Sequence, residues 1–170
     1  MANKDISLKT EHGRFNYRVG AIIIHNNHLL MIKNTMASYY YSVGGRVRFD
    51  ESSAEAVLRE IYEETQVKME IERLAFVHEN FFPEEDGTGR PVHEIAFFYL
   101  IKPIGTLGIS ALTCDSCGAH GEKEYLCWLP LDQLSEYHVF PEFFKTELRN
   151  LTEDVGHFIT KDEITSRVTS

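Results

Sequence analysis

Apolar residues run along this chain in short, strand-sized stretches broken by one segment of helical period. Residues 17–24 and 28–33 are apolar on either side of Asn26-Asn27. Asparagine tolerates positive φ, so this pair predicts a tight hairpin between two strands. Residues 39–43 are aromatic and β-branched and stop at Gly44-Gly45, where backbone must bend tightly or approach a neighbour closely. Residues 67–80 read as extended. Residues 95–101 are almost wholly apolar, the pattern of a strand covered on both faces. Residues 125–129 predict another buried strand, ended by Pro130.

The helical period falls between residues 52 and 65. Ser52 with Glu55 three residues on makes a capping box, and Ala54, Val57, Leu58 and Ile61 then recur on one stripe. Residues 132–136 and 142–151 predict a short and a longer helix. Residues 83–91 carry acids, glycine and proline and predict a surface loop. Residues 103–120 predict a long irregular loop, and the polar residues after 160 a frayed tail. Strands interleaved with one strong central helix and a late second one predict the α/β class, a mixed sheet covered by helices. A single domain over residues 1–170 is expected, with its core at about 15–151.

Charge and composition narrow the function. In 170 residues, 26 Asp and Glu stand against 17 Lys and Arg, a net charge of −9. That balance lacks the clustered basic face of a DNA-binding surface. It allows a nucleotide substrate, because a metal ion inverts the local charge where carboxylates converge. The longest apolar runs, 19–24 and 95–101, fall far short of the ~18–20 residues of a membrane helix, so no membrane partner is expected. Residues 1–12 are polar, without the apolar stretch of a secretory signal, and the three cysteines form no disulfide framework. A cytoplasmic setting follows. Cys114, Cys117 and His120 would supply too few ligands for a structural zinc, so a free-thiol loop is expected, with Cys127 packed as a small hydrophobe.

The chemistry lies between Gly44 and Val67, GGRVRFDESSAEAVLREIYEETQV. At about 100° per residue the apolar stripe and the group Glu60, Glu63 and Glu64 occupy separate sectors of the helix. Acidic runs on helices are usually solvated faces. Carboxylates at i, i+3 and i+4 nevertheless repel by a few tenths of a kcal/mol per pair, and Arg59, in the less favourable orientation to Glu63, compensates only in part. A hard divalent cation such as Mg²⁺, which takes oxygen ligands, is what such a cluster suits.

The spacing around these acids resembles the signature of the Nudix hydrolase (MutT-like) family, G-x5-E-x7-R-E-U-x-E-E-x-G-U, with U a bulky aliphatic residue. Gly45, Glu51, Arg59-Glu60, Ile61, Glu63-Glu64 and Val67 match; Gln66 stands where the family has glycine. Val43 replaces a proline frequent before Gly-Gly. The resemblance implies an α/β/α sandwich and Mg²⁺- or Mn²⁺-dependent hydrolysis of a small-molecule diphosphate, expected to be a nucleoside diphosphate derivative such as a nucleotide, sugar nucleotide or dinucleotide. It implies metal ligation by Glu60, Glu63 and Glu64, with Glu51 reaching a second ion through water. Arg59 would orient a ligand carboxylate, and Gly44 and Gly45 would form the loop into the helix. A homodimer is among the assemblies it allows. Arg46, Arg48 and Arg90 are phosphate candidates by guanidinium geometry. Tyr39, Tyr40, Tyr41, Phe81 and Phe82 are aromatic candidates for substrate or core, and His78 and His93 flank the expected pocket. A general base outside the box would be one of Glu79, Glu94, Glu122 and Glu124. Residues 81–93 and 103–120 are the expected specificity loops. A nucleotide sensor without turnover and a diphosphate isomerase are the alternatives on the same scaffold.

Overall fold

The computed structural model describes residues 5–84, 86–103, 115–117 and 123–169. The hairpin at Asn26-Asn27 forms as expected, with φ of 48° and 61° at the two asparagines. It joins β2 (Gly13–His25) to β3 (His28–Asn34). A short β1 (Ser7–Thr10) precedes them. β4 (Tyr40–Ser42) and β5 (Gly44–Arg46) follow and lead into helix α1 (Ser53–Thr65). Then come β6 (Met69–Pro83), β7 (Pro91–Pro103), β8 (Asp115–Cys117), β9 (Lys123–Pro130) and β10 (Val139–Phe140). The chain ends through a short helix α2 (Phe144–Glu147), β11 (Gly156–Lys161) and β12 (Ile164–Arg167).

β2 is the hub of a curled, mixed sheet. On one edge it runs parallel to β7, from Arg14 opposite Val92 to Ile23 opposite Ile101. On the other it meets β1, then β5, and at its end β3. β7 pairs antiparallel with β6, β6 parallel with β11, and β11 with β12. β3 carries the other half, pairing with β9 and β4, and β4 pairs with β10. Residues alternate across β2. Val19, Ala21 and Ile23 pack with Val57 and Ile61 of α1, while Ile22 packs in a second core with Phe98, Phe143 and Phe144 under α2. Both faces being covered explains the continuous apolar runs. The layering is the expected α/β/α sandwich.

α1 begins as its capping box demands. Ser52 Oγ accepts from the Glu55 N–H at 3.2 Å, and the Ser52 N–H donates to Glu55 Oε2 at 2.8 Å. The helix ends at Gln66 in the left-handed region, φ 58°, the conformation for which the family's glycine is suited. Gln66 offsets its strain with its side chain: Nε2 donates to the carbonyls of Tyr62 and Glu63 at 3.1 and 3.2 Å.

Three expectations change. The residues after 160 are not a frayed tail, and packing does not stop near 151. Phe158 on β11 stacks on Phe143 with ring centroids 4.2 Å apart, and β6 offers β11 an edge to pair with. One apolar ring on a paired strand outweighs the polar composition around it. The longer C-terminal helix is a short α2 followed by a single 3₁₀ turn, Leu148–Asn150, and residues 131–136 are also 3₁₀. Of the loop expected at 103–120, residues 115–117 form β8 against β9; Cys114 and His120, and the Cys117 side chain, lie outside the described residues. Among the described residues no helix is long and apolar enough to cross a membrane.

Candidate active site

Two adjacent glycines bring the acidic face of α1 onto the sheet. Gly44 and Gly45 pair with Gly20 and Val19 of β2. At Gly44, with φ +149°, an added Cβ would meet the Val19 carbonyl oxygen at 2.2 Å. At Gly45 it would meet the carboxylate atoms of Glu60 at 2.5–2.6 Å. At Gly44 the obstacle is backbone and no side chain fits; at Gly45 a side chain would displace the Glu60 carboxylate. The Glu60 carboxylate therefore rests on Gly45, and one residue earlier the Gly44 N–H donates to Glu64 Oε2 at 3.2 Å.

Arg59 gathers the other acids. Its Nε and Nη2 donate to both oxygens of Glu51, at 3.0 and 2.6 Å. Its Nη1 donates to Glu60 Oε1 at 2.6 Å and to Glu63 Oε2 at 3.3 Å. Nη2 also donates to the Arg46 carbonyl at 3.1 Å, tying the loop to the helix. The guanidinium holds Glu51 below the ordinary carboxylate range, first through these bonds and then with help from the Arg48 N–H. The Arg48 side chain lies 3.6 Å from Glu63 and 3.7 Å from Asp5, and Arg46 lies 4.0 Å from Asp5.

Glu64 is the strained member. Burial pushes its carboxyl up to about 8; the charges of Glu60 and Glu124 push the same way, and the Gly44 N–H and Arg18 oppose them. Glu124 stands on β9 and accepts from the Tyr41 hydroxyl at 2.7 Å. Burial and that carboxylate raise the Tyr41 pKa, so the phenol stays protonated.

These acids fit a hard divalent cation. Glu60 and Glu64 present oxygen only, one turn apart on α1 and set against the neighbouring loop residues Gly45 and Gly44, and the buried Glu64 carboxyl is bonded by the Gly44 N–H. Mg²⁺ uses one or two carboxylates and completes its shell with water and phosphate. Among the described residues no three His, Cys, Asp or Glu side chains gather into a metal-holding cluster; Arg59 instead bonds Glu51, Glu60 and Glu63.

The remaining expected residues divide. Among the base candidates, Glu79 is bound to His157 at 2.8 Å, and Glu94 to Asn16 at 3.3 Å; Glu122 lies outside the described residues. Phe81, Phe82 and His93 do not join the box. They line a cavity of about 570 Å³ with Phe15, five residues along β2 from Gly20, or about 17 Å. Arg90 lies in the same β6–β7 turn, its carbonyl bonded by the Glu84 N–H. His78 is buried between Phe98 and Phe143 and bonded to Thr160 Oγ1 at 2.8 Å, a core residue. Tyr40 packs on Tyr137, away from the acids, whereas Tyr39 touches Tyr41. Asp5 and Arg18 were not foreseen; Tyr41 and Glu124 were expected as an aromatic and a base candidate, but not as a pair. They meet the box only through strand pairing, and no spacing in the sequence signals that.

The NUDIX domain family profile matches residues 14–154. A MutT-like protein of Streptomyces ambofaciens is 26% identical over 117 residues, 69% of this chain and 64% of its own length. The MutT protein from Bacillus halodurans superposes with a TM-score of 0.59 at 16% identity, over 91% of this chain and 95% of that one. A NUDIX hydrolase from Nitrosomonas europaea gives 0.51 at 16% identity, over 76% and 82%. At those identities the two structures speak for the fold alone. The family match covers most of the chain: the protein belongs to the NUDIX family.

Proposed function

We propose that this chain hydrolyses the diphosphate linkage of a nucleoside diphosphate derivative with Mg²⁺ or Mn²⁺. The observation that carries the reading is the carboxylate pair Glu60 and Glu64 set on Gly45 and Gly44, with the buried Glu64 short of compensating charge. Glu60 and Glu64 would hold the principal ion, and Glu63 and Glu51 a second. A bound ion supplies neutralisation of the diphosphate oxygens and a more acidic water. Arg59 orients Glu51 and Glu60 through charge-assisted bonds. Arg46 and Arg48, half-exposed at the loop, take the phosphate oxygens. Glu124, held by Tyr41 and within the electrostatic reach of Glu64, takes the proton of the attacking water as general base. The small-molecule substrate is the partner this reading requires; a cytoplasmic setting and a homodimer are compatible with it.

The test is a panel of nucleoside diphosphate derivatives with Mg²⁺ or Mn²⁺ and mass-spectrometric identification of products. Wild type should release a phosphorylated nucleoside. Glu64→Gln should lower turnover at least about 100-fold while leaving the circular dichroism unchanged, because the side chain lies off the apolar stripe. Binding of nucleotide and metal without turnover would make the chain a sensor instead.

A further inference from the structure

An aromatic rim beside the acids has no part in the chemistry above. Tyr39 lies 6.0 Å from His138 and 5.1 Å from Phe140 between ring centroids, and His138 lies 5.1 Å from Phe140. β10 runs parallel to β4 with Phe140 opposite Tyr41 and Val139 opposite Tyr40. Alternation therefore places His138 and Phe140 on the face that carries Tyr39 and Tyr41. Val139, on the other face of the same two-residue strand, is fully buried, while Phe140 is 41% exposed. The strand thus spends one side on the core and presents the other to solvent.

The rim is continuous with the site. Tyr39 meets Tyr41 at 6.2 Å, Tyr41 holds Glu124, and the charge of Glu124 is felt at Glu64. Tyr39 precedes Gly44 by five residues, at most about 17 Å of extended chain. The two ends of this path differ in chemistry. Carboxylates and guanidiniums stand at Gly44–Gly45, and aromatic ring faces at the rim. Exposed aromatic surface bordered by polar residues marks a binding surface, and ring faces hold planar bases by stacking.

We propose that Tyr39, His138 and Phe140 form the platform on which the nucleobase of the substrate stacks, with its phosphates directed toward Gly44 and Gly45. This rests on the reading of the acids as a diphosphate site and adds where, and by which residues, the base is taken.

Equilibrium binding of ADP and of methylenediphosphonate, both with Mg²⁺, separates the two. Wild type should bind ADP more tightly than methylenediphosphonate. Phe140→Ala and Tyr39→Ala should each weaken ADP about tenfold and leave methylenediphosphonate unchanged; Phe140→Tyr, which keeps a ring face, should restore ADP. Equal weakening of both ligands, or no change for ADP, overturns the platform. Wild type that binds methylenediphosphonate but prefers ADP no further overturns it too and leaves the diphosphate site standing. Wild type that binds neither overturns the diphosphate reading and the platform with it.

Discussion

At Gly45 the difference between a hydrogen and a methyl group decides where Glu60 can lie. A Cβ there falls 2.5 Å from the Glu60 carboxylate. The loop is half-buried and rigidly paired to β2, so the longer glutamate side chain gives way. Gly45→Ala should therefore lower turnover at least about tenfold, since positioning errors near 1 Å carry such penalties. The melting temperature should hardly move; a loss of folded protein equal to the loss of activity would refute this cause. This part of the site could be read in advance. Gly45, Glu51, Arg59, Glu60, Glu63 and Glu64 have a spacing fixed by one loop and one helix, and local geometry carries it into three dimensions. What could not be read was the division among the acids. Only the folded loop shows Arg59 bonding Glu51, Glu60 and Glu63 while Glu64 takes the Gly44 backbone N–H.

At the scale of elements, α1 shows a local signal being overridden and repaired. Gln66 takes the left-handed conformation that suits glycine, a strain of about 1 kcal/mol for a residue with a Cβ. Its side-chain amide then caps two carbonyls. Gln66→Gly should be close to neutral, relief of strain balancing loss of the caps. Gln66→Ala loses the caps and keeps the strain, and should cost about 1 kcal/mol in urea unfolding. A Gln66→Ala variant as stable as wild type would show that the amide bonds contribute nothing.

His78 links β6 to β11 and sets a pH dependence. Burial pushes its pKa down to about 4, below the ordinary imidazole value of about 6.5. Between those values the unfolded chain binds more protons than the folded one, so stability falls as pH falls through this window. The group's share of the loss below pH 4 is on the order of 3 kcal/mol. His78→Gln, which can still bond Thr160, should flatten the slope of unfolding free energy between pH 6.5 and 4.5. An unchanged slope would assign the acid sensitivity to other groups. The element that depends on this contact, β11, carries no strand signal in the sequence, and β12 beyond it falls in the stretch expected to fray. The alternation in β11 is short and its partner residues lie 80 positions earlier in sequence, Phe158 opposite His78, with His157 bonded to Glu79.

For the whole molecule, the curled sheet holds buried negative charge that a divalent ion would neutralise. Mg²⁺ or Mn²⁺ at millimolar concentration should raise the melting temperature, as any ligand specific for the folded state does, by about 2.7 kcal/mol in equivalent free energy at a hundredfold excess over Kd. EDTA should reverse the gain, and Glu64→Gln should lose most of it. A shift of equal size in that variant would place the ion elsewhere.

By itself the sequence determined the hairpin at Asn26-Asn27, the doubly covered strands, the capped helix and the acids along its face. Each depends on residues within one or two turns of chain, where backbone geometry leaves little choice. Tertiary structure alone decided which carboxylates are buried, that Glu124 and Tyr41 face Glu64, and that Tyr39 shares a face with Phe140. Those relations pass through β3–β9 and β4–β10 pairing across some hundred residues. Register between distant strands is set by the packing of the whole core, and no local pattern records it.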